Sequence, residues 1–156
     1  MIRSVPMRQL ALAFFALLAP VAVASEKADS VALHLRTGGG PPGSDRFDVQ
    51  LGESGHLSVV RRRLPMTATG LTETRYEADL PADQVQTLLT LAVAADDFSK
   101  GCGLVADGTD ASLRVVRAGK ETERTCEDAS RWPVGSKARS FLDALNALLP
   151  SEMRVF

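Results

Sequence analysis

Large apolar residues occupy every second position from Val31 to Leu35, with Ala32, His34 and Arg36 between them. Period-two patterning gives a strand with one buried and one wet face, and a helix cannot sort these residues that way. The pattern returns at Phe47, Val49 and Leu51, then across residues 56–64, where Leu57 and Val59 point to the same side. Residues 75–80 repeat it with Tyr76, Ala78 and Leu80, and residues 111–118 with Leu113 and Val115. Residues 121–126 read as a polar strand suited to an edge.

Two segments carry the other period. After Pro81 and Asp83, which suit the first turn of a helix, Val85, Leu88, Leu89, Ala92 and Val93 recur at three- and four-residue spacing. Residues 135–149 do the same through Ala138, Phe141, Leu142, Leu145, Leu148 and Leu149. Both are amphipathic helices with one apolar stripe. Gly52 to Gly55 and Ala118 to Lys120 read as hairpin turns, residues 67–73 as a polar loop. The order is four strands, helix, two strands, helix. Hairpin-length connections favour an α+β fold: an antiparallel sheet of about six strands with both helices packed on one face. A single domain over residues 31–156, after a polar lead-in at 25–30, accommodates all of it.

The beginning of the chain has a different character. Arg3 and Arg8 precede an apolar run from Leu10 to Leu18, followed by Pro20 and Ala22-Val23-Ala24. A basic end, a short hydrophobic stretch and small residues at −3 and −1 form a signal peptide over residues 1–24. The run is too short for a membrane span. Export to the periplasm or the medium is therefore expected. Removal of Arg3 and Arg8 moves the formal charge from −1 to about −3, a balance that does not suit nucleic acid or an anionic membrane. Cys102 and Cys126 are the only cysteines, and in an exported chain an isolated pair reads as a disulfide. Neither follows the leader closely, so no lipid anchor is expected.

Chemistry is sparse. His34 and His56 are the only histidines, and no H-E-x-x-H or Cys/His cluster accompanies them. Gly52-Glu53-Ser54-Gly55-His56 sets a serine near a histidine, but it is a turn and not G-x-S-x-G. Asp96-Asp97, Asp107, Asp110 and Glu127-Asp128 read as solvated ends; Asp107-Gly108-Thr109-Asp110 lacks the ligand pattern of a calcium loop. Arg61-Arg62-Arg63 alternates between faces, which argues for edge protection over a basic patch. Trp132 reads as packed under the last helix, with an exposed partner contact as the alternative. No catalytic, metal or cofactor residues are assigned.

The segment with the best claim to function is the loop Gly38, Gly39, Gly40, Pro41 and Pro42. It lacks the G-K-[ST] ending of a phosphate loop, and a loop beside a rigid sheet suits recognition. The plain alternative is a connector.

Residues 31–36 with Thr37-Gly38-Gly39, the segment Leu80-Pro81 through Leu88, Leu91, Ala95 and Phe98, the strand Asp110-Ala111-Ser112-Leu113-Arg114-Val115 and the leucine-rich last helix together have a familiar order. This organisation resembles the emfourin-type inhibitors of thermolysin-like metalloproteases. Pro41-Pro42, the long stretch 43–64 and the cysteine pair depart from it. The resemblance implies a non-enzymatic domain that occludes a protease cleft with loops, the glycine loop among them. The leading reading is thus an exported binding module, an inhibitor of a metalloprotease, whose partner is a secreted protease or another envelope protein. The alternatives are an envelope accessory protein with no small-molecule ligand, and a small hydrolase built from scattered carboxylates or Ser/His residues. N-terminal sequencing of the protein recovered from an exporting host is expected to begin at Ser25; an intact leader refutes the export assignment.

Overall fold

The structure, a computed structural model, describes residues 27–36, 44–63, 70–100, 102, 108–129 and 132–155. The elements are β1 (Ser30–Arg36), β2 (Asp45–Gly52), β3 (His56–Arg63), β4 (Thr72–Asp79), α1 (Ala82–Ala94), β5 (Asp110–Arg117), β6 (Lys120–Cys126) and α2 (Lys137–Leu148). A single 3₁₀ turn, Ser151–Met153, follows. The strands form one antiparallel sheet in the order β4-β3-β2-β1-β5-β6. The α+β class follows directly.

β1 lies inside the sheet and pairs on both sides along its whole length: Leu33 faces Val49 on β2 and Leu113 on β5. The alternation seen in sequence therefore becomes one buried row after another. Val31, Leu33, Leu35, Phe47, Val49, Leu51, Leu57, Val59, Leu113 and Val115 join Val85, Leu88 and Leu89 of α1 and Phe141, Leu142 and Leu145 of α2 in one hydrophobic cluster. We call this the inner face. Removing such side chains from water supplies the main driving force, at about 25 cal/mol per Å² of apolar surface.

Several expectations are corrected by the pairing. β4 starts at Thr72, inside the expected loop, because Thr72 and Glu73 continue the ladder opposite Arg63 and Arg62. β3 is an internal strand, so Arg61, Arg62 and Arg63 guard no edge. They do divide between faces as expected: Arg61 and Arg63 share Asp45, while Arg62 pairs with Asp48 and Glu73. The Arg61 guanidinium also lies over the Phe47 ring, 5.5 Å from its centroid. Val93 is 44% exposed, since eight residues after Val85 it sits about 80° round the helix, at the margin of the stripe. α2 starts two residues later than expected because Gly135 adopts φ +83° and Ser136 is the N-cap. β6 occupies a sheet edge, as its polarity suggests.

The helix ends are closed by distant side chains. The Asp97 carboxylate accepts from the backbone N–H groups of Lys137 and Ala138, both at 2.8 Å, and Ser136 Oγ accepts from Arg139 N. An anion at this terminus satisfies orphan donors and opposes the helix dipole. α1 has no basic residue in its last turn. Arg124 of β6 supplies one, donating to the carbonyls of Ala92 and Val93 at 3.1 and 3.2 Å.

Cys102, beyond α1, is bonded to Cys126 at the end of β6, their Cα atoms 5.2 Å apart. Closing this loop stabilises the fold by about 3.5 kcal/mol in the chain-entropy picture. Nearby, Trp132 is buried against Phe98 with ring centroids 4.5 Å apart, and its indole N–H donates to the Phe98 carbonyl at 3.0 Å. Trp132 is thus a core residue.

Two hairpins need left-handed backbone. Gly55 (φ +89°) ends the three-residue loop between β2 and β3, its N–H donating to the Gly52 carbonyl. A Cβ there meets the Leu80 carbonyl oxygen at 2.6 Å. Between β5 and β6 the two turn residues are Ala118 (φ 47°) and Gly119 (φ 72°), and the Ala118 N–H donates to Asp29 Oδ1. Gly55→Ala is expected to destabilise the fold by about 2–3 kcal/mol, from left-handed strain plus the displaced Leu80 backbone. Urea unfolding checks this; an unchanged midpoint contradicts it.

Candidate functional site

The outer face of the sheet is polar and held by charge. His34 lies opposite Asp48 in the β1–β2 register, and its Nδ1 is 2.6 Å from Asp48 Oδ1. The other Asp48 oxygen accepts from Arg62 Nη1. Arg62 Nε donates to Glu73 Oε2 at 2.9 Å, and Glu73 Oε1 accepts from Arg75 Nε at 2.7 Å. Five side chains from four strands thus form one ladder. Beyond β1, Ser112 stands opposite His34, and Thr125 opposite Ser112.

A cleft of about 610 Å³ opens on this face where β1 and β2 approach the connection between them. His34, Arg36, Arg46, Asp48, Asp110 and Ser112 are among its lining residues. Arg36 faces Arg46 directly across β1–β2 and Asp110 across β1–β5; Arg46 faces Arg62 across β2–β3. Among the described residues, Arg36 Nε and Ser44 Oγ, on either side of residues 37–43, are buried and have no hydrogen-bond partner.

The disulfide pair Cys102 and Cys126 is formed. The expected recognition loop, Gly38, Gly39, Gly40, Pro41 and Pro42, lies outside the described residues, as do the leader and Asp107. Its flanking residues Arg36 and Ser44 are described, and Arg36 lines the cleft. His56 pairs with Asp79 at 3.0 Å, at the other end of the β3–β4 pair from Arg62 and Glu73. Asp96 binds Lys137 and Asp97 closes α2, so this carboxylate pair is structural. Among the described residues no group of three or more His, Cys, Asp or Glu is arranged to hold a metal ion.

The row Asp48–His34–Ser112 was not legible in the sequence. Its members lie 14 and 78 residues from one another along the chain and meet only through the β1–β2 and β1–β5 registers. Acyl transfer needs the serine within reach of the imidazole and donors for an oxyanion. Here the Ser112 hydroxyl donates to Glu123 Oε1 at 3.3 Å, and the neighbouring backbone amides belong to sheet strands.

No protein-family model matches the chain, and comparison with curated proteins finds no match.

The charge pairs shift several acids in one direction. Arg75 and then Arg62 hydrogen-bond Glu73 and hold its carboxyl below the ordinary range. Arg63 foremost does the same to Asp45, against the opposing effect of burial. Arg114, then Lys27, bring Glu121 from the ordinary 4.5 down to about 2. Each lowered carboxyl contributes stability that is fully present above its unfolded value and disappears as pH falls through its folded value. Stability is therefore expected to decline between pH 4.5 and about 2, with Glu121→Gln flattening that decline. Denaturant titrations across this window check it; an equal slope in the variant excludes the Glu121 contribution.

Proposed function

We propose that the chain is an exported, non-enzymatic binding domain that inhibits a secreted metalloprotease by surface complementarity, without a cofactor. The observation that carries this reading is the outer-face cleft at the end of β1 and β2, next to the glycine–proline connection. A disulfide closing the sheet beside it suits an oxidising compartment and a surface that must stay in shape. In this reading both helices cover the inner face, which leaves the outer face free for a partner. The emfourin-like order of elements supplies the partner class.

The test is titration of a panel of secreted metalloproteases, a thermolysin-like enzyme included. Stoichiometric inhibition is expected, weakened at least about tenfold by Gly39→Ala with Pro41→Ala and without loss of fold. No inhibition at micromolar protein ends this reading. The Asp48–His34–Ser112 register row is what a rival hydrolase reading would use, although Ser112 donates to Glu123 and not to His34. Ester hydrolysis abolished by Ser112→Ala is the result that puts the rival in its place.

A further inference from the structure

Arg36 and Arg46 stand out because the sheet opposes two like charges at adjacent positions. Directly opposed like charges destabilise a strand pair. Arg62, the next residue in that row, is neutralised by Asp48 and Glu73. Among the described residues no carboxylate is ion-paired with Arg36 or Arg46, although Asp110 stands next to Arg36 in register. The Arg36 Nε–H is buried and has no hydrogen-bond partner among the described residues. The connecting residues 37–43, Thr-Gly-Gly-Gly-Pro-Pro-Gly, contain no acid to serve the pair. Both residues line the cleft.

We propose that this cleft binds a peptide carboxylate, held between the guanidinium groups of Arg36 and Arg46. Guanidinium forks match the planar geometry of a carboxylate and form charge-assisted hydrogen bonds with it. The remaining wall sets the charge of the ligand. Asp48, Asp110 and Glu127 also line the cleft, and their repulsion disfavours a phosphate or polyanion more than a single carboxylate. Asp48 is itself occupied by His34 and Arg62, which keeps it from neutralising the arginine pair. The carboxylate comes from a chain terminus or from an acidic side chain. This assignment rests on the reading of the outer face as a binding surface, and adds to it the group that is recognised.

The experiment is a titration of isotope-labelled protein, expressed from its full-length sequence, followed at the arginine Nε–H signals. The probes are a blocked trialanine peptide with a free C-terminus, an amidated tripeptide with one central glutamate, amidated trialanine, and inorganic phosphate. Saturable shifts of Arg36 and Arg46 in the millimolar range are expected with a carboxylate peptide and not with amidated trialanine. The peptide that binds identifies the source of the carboxylate. Arg36→Gln with Arg46→Gln is expected to weaken binding at least about tenfold, with the Trp132 indole signal unmoved. Arg46→Gln alone, at an exposed position, provides the same comparison should the double variant fail to fold. The proposal is overturned if neither carboxylate peptide binds, if phosphate or the neutral amide binds as tightly, or if the variants bind unchanged. Carboxylate binding without protease inhibition removes the inhibitor reading and leaves this site standing. Inhibition indifferent to both arginines removes this site and leaves the inhibitor.

Discussion

The double pairing of β1 is the constraint from which the rest of the molecule follows. Seven residues are in register with β2 on one side and β5 on the other, so their alternation is imposed on both neighbours at once. A slip of one residue carries His34 and Arg36 into the hydrophobic cluster and expels Leu33 and Leu35, a loss no local repair offsets. The same register that builds the core lines up His34 with Asp48 and Ser112, and Arg36 with Arg46 and Asp110. Core and outer face are two consequences of one pairing.

Around that sheet, the irregular segments are fastened by side chains reaching far along the chain. Asp97 closes α2 from forty residues upstream, and Arg124 closes α1 from thirty downstream. Asn146 clasps the C-terminal segment, donating to the Val155 carbonyl at 2.8 Å and accepting from its N–H at 2.7 Å. With the Cys102–Cys126 bond and the Trp132–Phe98 contact, these links put polar groups where an unbonded helix end or loop carbonyl is costly. They explain how the chain maintains order where hydrophobic periodicity runs out.

The legible part of the fold was the part governed by period. Strands with large apolar residues at alternate positions, and helices with a stripe, announced themselves, and the lone cysteine pair announced its bond. What escaped lacks a local signal. β4 begins in a polar stretch because Arg62 and Arg63 lie opposite it, and those partners are ten residues away. The caps from Asp97 and Arg124, and the row Asp48–His34–Ser112, exist only once registers are fixed. The arginine triplet showed its alternation in sequence, yet its placement inside the sheet depended on β4 pairing beyond it.

Two neighbouring rows of the outer face make the sharpest contrast. Along the ladder from Arg75 through Glu73 and Arg62 to Asp48, cation and anion alternate, and His34 hydrogen-bonds the last carboxylate. Along the adjacent row, Arg36 and Arg46 face each other across β1–β2, and Arg62, which the ladder shares and neutralises, follows on β3. Cross-strand energetics favour the first arrangement and penalise the second by a few tenths to about 1 kcal/mol per opposed pair. On β1 and β2 the two rows lie two residues apart and face the same solvent, so local propensity does not separate them. A departure from internal charge matching, confined to one row and opening on a cleft, is the pattern expected where a fold gives up some stability to keep a surface available for something outside itself.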